Sequence, residues 1–247
     1  MQAVKECYNR FDARISSGLN IEENGFVIKN LTDEDEKAQA YRLRHQVFCK
    51  ELKWVPETEA SLEIDAFDDD ADFLGVLNEC GQLMAFVRII KPEKRFMLEE
   101  VFSFLVSPEH TIRKESDTAE LSRLCVVPEA RNHMTQSNFN TGMISMLVYK
   151  GIYQWCKSNE IQYLYLEVEY KFYKLLCKYG FPCNMIGPPH IMPDGILSIA
   201  LILDVKRFES VNAVERPELL RWFSQGQSTP LVRQLQRPEF YLQHQAF

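Results

Sequence analysis

The stretch AELSRLCVVPEAR, which begins at Ala119, is β-branched and apolar at its centre but carries two opposite charges three positions apart. On a regular strand, side chains three positions apart point to opposite faces of the sheet, so Glu120 or Arg123 would face an interior that excludes unpaired charge. The alternative is that one of the two faces solvent. A β-bulge would let both side chains reach one polar cleft, and the sequence therefore predicts an irregular strand with a charged site beside it.

Composition limits the class of protein. The 247 residues, 46% hydrophobic and 26% charged, are typical of one globular domain. No apolar run approaches the roughly 20 residues of a membrane span, and the N-terminus lacks the apolar core of a secretory signal, so we expect a cytoplasmic protein. The net charge of −7 argues against nucleic acid as the main partner. Seven cysteines without CxxC pairs, and no histidine at metal-site spacing, predict reduced thiols and no metal.

Hydrophobic periodicity and turn residues predict helices mixed with strands. Thr32-Asp33 supplies the N-cap of the first helix, and Cys80-Gly81-Gln82 separates the strands of a hairpin. This order, non-alternating at first and βαβα later, predicts an α+β domain in which helices flank a mixed central sheet. The predicted elements are strands at 25–31, 72–79, 83–92, 119–128, 161–170 and 195–205, and helices at 35–52, 97–106, 137–159 and 171–181.

The composition changes near Lys206. Beyond it, three prolines interrupt short helical pieces, at Pro217, Pro230 and Pro238. No internal repeat and no Gly/Ser linker divides the chain before that point. We therefore expect one domain over residues 1–205 and a C-terminal extension over residues 206–247 that packs on it.

Further charges lie where the pattern is otherwise apolar. Arg44 and Phe48 are one helical turn apart and share a face. An acidic turn carries Asp65 and Asp68, and Arg88 interrupts the strand LMAFVRII. Inward charges on neighbouring strands could neutralise one another and a loop carboxylate in a cluster that frames a polar ligand. Each feature also has a simpler explanation, because a helix arginine can lie along the surface and an acidic run is usually a solvated loop.

The motifs follow one another as Arg44-x-x-Val47-Phe48-x5-Trp54, Glu63-x-Asp65-x-x-Asp68, Arg88, Met97-Leu98-x-x-Val101-Phe102 and Glu120-Leu121-Ser122-Arg123. In this order they resemble the LuxI-type acyl-homoserine-lactone synthases, a branch of the GNAT-like acyltransferase fold, over roughly residues 25–205. A second similarity is LEVEYKFYKLLCKYGF, which resembles the late strand and helix of GNAT folds. The resemblance implies a GNAT-like domain with the functional residues of that family.

The resemblance also implies a reaction. The amine of S-adenosylmethionine, a substrate rather than a tightly bound cofactor, attacks an acyl thioester, and its carboxylate then displaces methylthioadenosine to close a lactone used in quorum sensing. The acyl donor would be acyl carrier protein or acyl-CoA. The segment PEARNHMTQSNFNTG lacks the glycine-rich pyrophosphate loop of GNAT enzymes, which favours the carrier protein that most of the family uses.

Roles for individual residues come from the same resemblance. Glu120 is the candidate base for the attacking amine, and Arg123 would orient it or hold the acids of the turn. Asp65 and Asp68 would bind the positive groups of S-adenosylmethionine. Main-chain N–H groups freed at the bulge would stabilise the oxyanion. The substrate-binding residues would be Arg44 and Arg88, which bind a carboxylate or hold the aspartates, the aromatic Phe48 and Trp54, and Phe102 and Ser122.

An apolar tunnel for the acyl chain is expected between the strands at 119–128 and 161–170 and the helix at 139–157. Its candidate walls are Met143, Met146, Leu147, Leu164, Leu166 and Phe102, although residues at helical spacing are more often plain core. The strand at 161–170 offers Glu167 and Glu169 in place of the threonine that accompanies 3-oxo chains in the family, which favours an unsubstituted or unusual acyl group.

A basic surface for the acidic carrier could come from Lys150, Lys157, Lys171, Lys174 and Lys178, or these could be solvated helix faces.

Two alternatives remain open from the sequence. One is an N-acyl-amino-acid synthase or exosortase-associated acyltransferase of the same fold, and release of methylthioadenosine would distinguish it. The other is a non-catalytic GNAT-like binding module, which the intact set of charged residues disfavours because unpaired buried charge is costly.

Overall fold

The computed structural model describes residues 18–131 and 144–226 of the chain. Within these ranges nine strands form one sheet in the order β1-β2-β3-β4-β5-β6-β9-β7, and β8 also pairs with β9. The β5–β6 pair is parallel, and the other neighbours are antiparallel. The strands are β1 (Asn20–Glu23), β2 (Phe26–Asn30), β3 (Ala71–Asn78), β4 (Leu83–Ile90), β5 (Thr118–Val126), β6 (Tyr163–Glu169), β7 (Cys183–Met185), β8 (His190–Ile191) and β9 (Leu197–Asp204).

Helices cover both faces of the sheet. The Asp33 side chain caps the first helix by accepting from the N–H of Asp35, and a π-helical turn, His45–Glu51, follows that helix directly. One face of the sheet packs against α1 and α2, and the other packs against α3 to α6. The helices are α1 (Glu34–Arg44), α2 (Met97–Glu100), α3 (Ile144–Ser158), α4 (Tyr170–Lys178), α5 (Val205–Glu215) and α6 (Pro217–Ser224). The predicted α+β architecture with a mixed central sheet is confirmed.

Some elements were missed by the sequence prediction. Strand β1 pairs with β2 across Asn24 and Gly25, which both have positive φ angles of 50° and 80°. This is the geometry of a two-residue hairpin turn that Asn-Gly favours, and the dipeptide was the overlooked signal. Strands β7 and β8 are too short to give a periodic pattern. Residues 137–143 of the predicted long helix lie outside the described residues.

Strand β5 is irregular where the charges interrupt it. Arg88 of β4 is opposite Ser122, whereas Phe86 is opposite Cys125, so β5 holds one residue more than β4 over this interval. Arg123 adopts a left-handed backbone conformation with φ of 54°. This is the predicted β-bulge, and it turns Arg123 towards the face that carries Glu120.

Strands β5 and β6 separate just before the bulge. Their parallel pairing runs from Thr118 and Tyr163 to Leu121 and Leu166 and then stops. Beyond that point β5 continues along β4, and β6 continues along β9 to Glu169. Among the described strands, none pairs with the main chain of β5 after Leu121 on its β6 side, and a gap opens in the middle of the sheet.

The described part of the C-terminal extension packs on the domain. Trp222 and Phe223 of α6 are buried in the main core. The Trp222 indole donates to the Glu23 carboxylate of β1 (3.2 Å), and the same carboxylate pairs with Lys150 of α3 (2.7 Å). Residues 227–247 lie outside the described ranges. Among the described helices, none has the length and apolar character needed to cross a membrane.

Candidate active site

Arg44 and Arg88 are the buried centre of the charged cluster, and neither is exposed to solvent. Arg44, the last residue of α1, pairs with Glu63 and lies 2.6 Å from Asp68. Arg88, on β4, lies 2.7 Å from the same Asp68 oxygen and also pairs with Asp65. The acidic turn is therefore held against the sheet by guanidinium groups from a helix and a strand.

Arg123 completes this cluster from the bulge. Its guanidinium lies 3.0 Å from a Glu63 oxygen and 2.9 Å from Asp65. Glu63, 2% exposed, thus bridges Arg44 and Arg123. Glu63 lies within one of the sequence motifs, but the motif alone predicts no role for it. Three arginines and three carboxylates alternate in one network, which is the arrangement that makes burial of so many charges tolerable.

Two carboxylates of the network, Glu63 and Asp65, are held in the ionised form at neutral pH. Burial by itself would raise the pKa of Glu63 and Asp65, but hydrogen bonds and charges from the arginines hold both pKa values below their ordinary range. Both oxygens of the Asp68 carboxylate accept hydrogen bonds within the protein. One oxygen meets both Arg44 and Arg88, and the other accepts the main-chain N–H of Asp65 (2.7 Å). Of the two aspartates, Asp65 is the more accessible, at 21% of its side chain against 1%.

A cleft of about 820 Å³ opens where β5 and β6 separate. The bulge of β5 and the end of β6 form its floor, the π-helical turn and α2 form one side, and the β8–β9 turn forms the other. Several predicted site residues line it, namely Glu120, Arg123, Phe48, Trp54, Phe102, Ser122 and Leu166. Arg44 and Arg88 lie behind this surface. Of the two roles predicted for them, the contacts are those of arginines that hold the aspartates.

Glu120 is fixed at the back of the cleft. Its two carboxylate oxygens accept the main-chain N–H groups of Met97 (2.6 Å) and Leu98 (2.9 Å), and the residue is 2% exposed. Burial raises its pKa to about 7, against the opposite effect of the two N–H groups. A carboxyl with this pKa is divided between its two protonation states near neutral pH, which suits an acid or base catalyst.

An aromatic wall stands beside Arg123. Its guanidinium lies over the Phe48 ring at 5.5 Å, and Phe48 and Trp54 have ring centroids 6.1 Å apart. The main-chain N–H of Trp54 donates to the carbonyl of Phe48, which fixes the chain as it leaves the π-helical turn (2.9 Å). Trp54 is 41% exposed and lines the cleft. An exposed indole beside a cleft can stack on a flat or cationic ligand.

A second carboxylate, Glu167, faces the same cleft. It follows Leu166, the last residue of β6 that pairs with β5, and so stands at the start of the gap. Burial raises the pKa of Glu167 to about 6, while a hydrogen bond with Ser198 and the charge of Arg123 act in the opposite direction. The sequence pattern predicts no catalytic role for Glu167, because an alternating strand does not reveal where its pairing ends.

A smaller, entirely apolar cavity of about 60 Å³ adjoins the cleft on the other side of the sheet. Four residues line both spaces: Leu121, Leu124, Leu166 and Phe172. Leu164 lines the apolar cavity. Met146 and Leu147, predicted for the acyl tunnel, pack in the main core and line neither space. Met143 lies outside the described residues.

The lysines proposed as a carrier surface separate into two groups. Lys150 is completely buried against Glu23, so the expectation that it contributes to a basic surface was wrong. Its place on a helix with apolar neighbours on nearly every side was the overlooked signal. Lys157 pairs with Glu209 (2.9 Å). The three lysines of α4, Lys171, Lys174 and Lys178, are exposed on the helix that also contributes Phe172 to the cleft.

Comparison with known proteins gives a consistent result. A family model described as "Autoinducer synthase" matches residues 29–214. An acyl-homoserine-lactone synthase of Vibrio anguillarum is 26% identical over 147 residues, which are 59% of this chain and 74% of that protein. An acyl-homoserine-lactone synthase of Rhizobium radiobacter is 25% identical over 178 residues, 70% of this chain and 81% of the relative.

Solved structures share the fold. The CoA-dependent acyl-homoserine lactone synthase BjaI, solved with SAM and isopentyl-CoA, superposes with a TM-score of 0.64 at 20% identity, over 79% of this chain and 88% of that one. FeeM, an N-acyl amino acid synthase, superposes with a TM-score of 0.55 at 17% identity, over 75% and 93% of the two chains. The predicted GNAT-like fold is confirmed by neighbours of this kind.

Proposed function

Because this chain belongs to the autoinducer synthase family, we propose that it is an acyl-homoserine-lactone synthase acting in quorum sensing. It transfers an acyl chain from a thioester to the amine of S-adenosylmethionine, and the lactone then closes with release of methylthioadenosine. The observation that carries the proposal is a pair of adjoining spaces, a polar cleft with a fixed carboxylate and an apolar cavity, which share Leu121 and Leu166 at the gap between β5 and β6.

S-Adenosylmethionine binds in the cleft. Its sulfonium and adenine suit the faces of Phe48 and Trp54, which bound the cleft beside Arg123. Glu167 adds negative charge to the same space, which favours a ligand whose reacting end is cationic. The buried network of arginines and carboxylates lies behind these groups and keeps the bulge and the acidic turn in place.

The acyl chain enters the gap, where Leu121 and Leu166 separate the cleft from the apolar cavity. A thioester placed there has its carbonyl beside the main chain of β5 after Leu121, which lacks a strand partner on that side. N–H groups of this segment can donate to the oxyanion of the tetrahedral intermediate. The strand separation thus provides both the entrance for the chain and the donors for the reaction.

Glu120 is the base for the first step. The attacking nitrogen must lose a proton to become nucleophilic, and the carboxylate accepts it directly or through a water molecule. Each Glu120 oxygen already accepts one main-chain N–H, so its position is fixed while a second lone pair on each oxygen remains available. In the second step the carboxylate of the acylated substrate displaces methylthioadenosine, which requires no further proton transfer.

The acyl donor is acyl carrier protein or acyl-CoA. Both carry anionic groups close to the thioester arm. The exposed lysines of α4 provide positive charge at the side of the cleft where Phe172 lies. Their expected contribution is to the rate of association, which depends on salt concentration, rather than to the chemical step.

The proposed function is tested by incubating the purified protein with S-adenosylmethionine and a series of saturated acyl-CoA thioesters. We expect methylthioadenosine and an acyl-homoserine lactone to form in equal amounts, as measured by chromatography and mass spectrometry. An N-acyl-amino-acid synthase would acylate an amino acid and release no methylthioadenosine. A binding module would give heat on titration with S-adenosylmethionine but no product, and either result would contradict the proposal.

The rate is expected to depend on pH through Glu120. Its pKa in the free protein is raised to about 7, and the base works in the ionised form, so kcat/KM should fall about tenfold per pH unit below ~7 and level off above it. Initial rates from about pH 5.5 to about 8.5 measure this profile, with circular dichroism as the control for the fold. A rate that stays constant across this range would remove Glu120 from the role of base.

A further inference from the structure

Three phenylalanines line the apolar cavity but not the cleft. Leu121 and Leu166 line both spaces, whereas Phe181, Phe208 and Phe223 line the cavity alone. Leu164 of β6 also lines the cavity and pairs with Leu203 of β9, two residues before the point where β6 leaves β5. A chain that enters from the cleft passes Leu121 and Leu166 before it reaches these phenylalanines.

One of these three phenylalanines, Phe223, belongs to helix α6, which lies outside the part of the chain that the family model matches. The family match ends at residue 214, and α6 spans Pro217–Ser224. Phe223 is fully buried, with its ring 5.3 Å from Phe208, 5.7 Å from Tyr153 and 5.9 Å from Phe181 between centroids. The C-terminal extension therefore forms part of the cavity wall through the Phe223 ring.

The position of α6 is fixed by polar contacts in addition to packing. The Gln154 amide of α3 donates to the main-chain carbonyl of Phe223. Trp222 donates to Glu23 and lies 4.7 Å from the Lys150 ammonium, measured to the ring centroid. The hydrogen bonds to the Phe223 carbonyl and from the Trp222 indole fix α6 in place, and with it the Phe223 ring that lines the cavity.

We propose that α6 is the end wall of the acyl pocket and that Phe223 sets the upper limit on acyl-chain length. This inference rests on the proposed function, which identifies the ligand as an acyl chain. It adds that the chain is saturated and limited in length. The lining includes Tyr149 and Tyr153 but presents no polar atom to the cavity, and the Tyr153 hydroxyl already donates to Glu209, so a substituent such as a terminal hydroxyl would be left without a hydrogen-bond partner.

Replacing Phe223 with alanine tests the wall. The change opens space on the order of 100 Å³ where the Phe223 ring lines the cavity, enough for several methylene groups. We expect the acyl-CoA chain length with the highest kcat/KM to increase by two or more carbons. Each methylene that fills the new space should raise kcat/KM about fourfold relative to wild type. Phe223→Leu, a smaller change that cores usually tolerate, should give a shift in the same direction.

The matched control is Phe73→Ala, an equally buried phenylalanine that packs under α1 on the opposite face of the sheet. It should lower stability without changing the preferred chain length. The proposal is overturned if folded Phe223→Ala or Phe223→Leu keeps the wild-type preference, or if Phe73→Ala shifts it equally. Thermal stabilisation by acyl-CoA thioesters of increasing length reports the same limit without turnover. Absence of methylthioadenosine with wild type would therefore count against the proposed function alone.

Discussion

Glu120→Gln is expected to lower kcat for methylthioadenosine release by about 10²–10⁴-fold, the usual contribution of a general base. Glutamine keeps the size of the side chain and one oxygen that can accept from Met97 or Leu98, but it cannot take up a proton. The residual rate should lose its dependence on pH near 7, because the group responsible for it is gone. Initial rates with saturating S-adenosylmethionine and the preferred acyl-CoA measure both effects.

The control for this change is Glu22→Gln. Glu22 is a strand glutamate on β1 that faces solvent, so the same substitution there should leave the rate unchanged. Circular dichroism and binding of S-adenosylmethionine establish that the Glu120 variant is folded. Activity within a few-fold of wild type in a folded Glu120→Gln protein would exclude Glu120 as the base and direct attention to Glu167.

Glu63→Ala is expected to destabilise the fold by about 3–5 kcal/mol, the cost of removing one partner from a buried ion pair. The substitution leaves the Arg44 guanidinium, which is not exposed, short of a charge partner, and it frees Arg123 from one of its two carboxylates. A loss of that size is a large part of the 5–15 kcal/mol that stabilises a typical domain. The midpoint of urea unfolding, followed by fluorescence, measures it.

Asp70→Ala is the matched comparison, because Asp70 belongs to the same acidic segment but pairs with Lys94 at the surface, where both side chains are about half exposed. An exposed pair contributes at most about 1 kcal/mol. If Glu63→Ala costs no more than Asp70→Ala, the network is not an essential support of the bulge, and its arginines must be retained for another reason.

The sequence was informative where a charge contradicted its surroundings. Glu120 and Arg123 could be predicted on one side of a bulged strand because a regular strand would place them on opposite faces, with one of them directed at the core or at solvent. Convergence of Arg44, Asp65 and Arg88 followed from the same reasoning. The pattern could not show how deeply each charged side chain is buried relative to the cleft. Arg44 and Arg88 lie behind the cleft while Arg123 lines it, and this difference depends on how far strands and turns stack in space.

Apolar residues carried less information. Met146, Leu147 and Leu164 all occupy core-facing positions, yet only Leu164 lines the apolar cavity. Which core residues border an empty space depends on the separation of β5 and β6, a long-range feature that residue spacing does not encode. Lys150 was misplaced for a related reason, since its partner Glu23 is distant in the sequence.

The bond between Trp222 and Glu23 joins positions 199 residues apart. During synthesis the N-terminal part of a chain emerges and folds first, so the strand that carries Glu23 is made long before Trp222 can bond to it. The sheet and its charged network can form earlier, and α6 docks on β1 and α3 only after its own residues have been synthesised. The wall proposed for the acyl pocket is thus added to a sheet that is already in place.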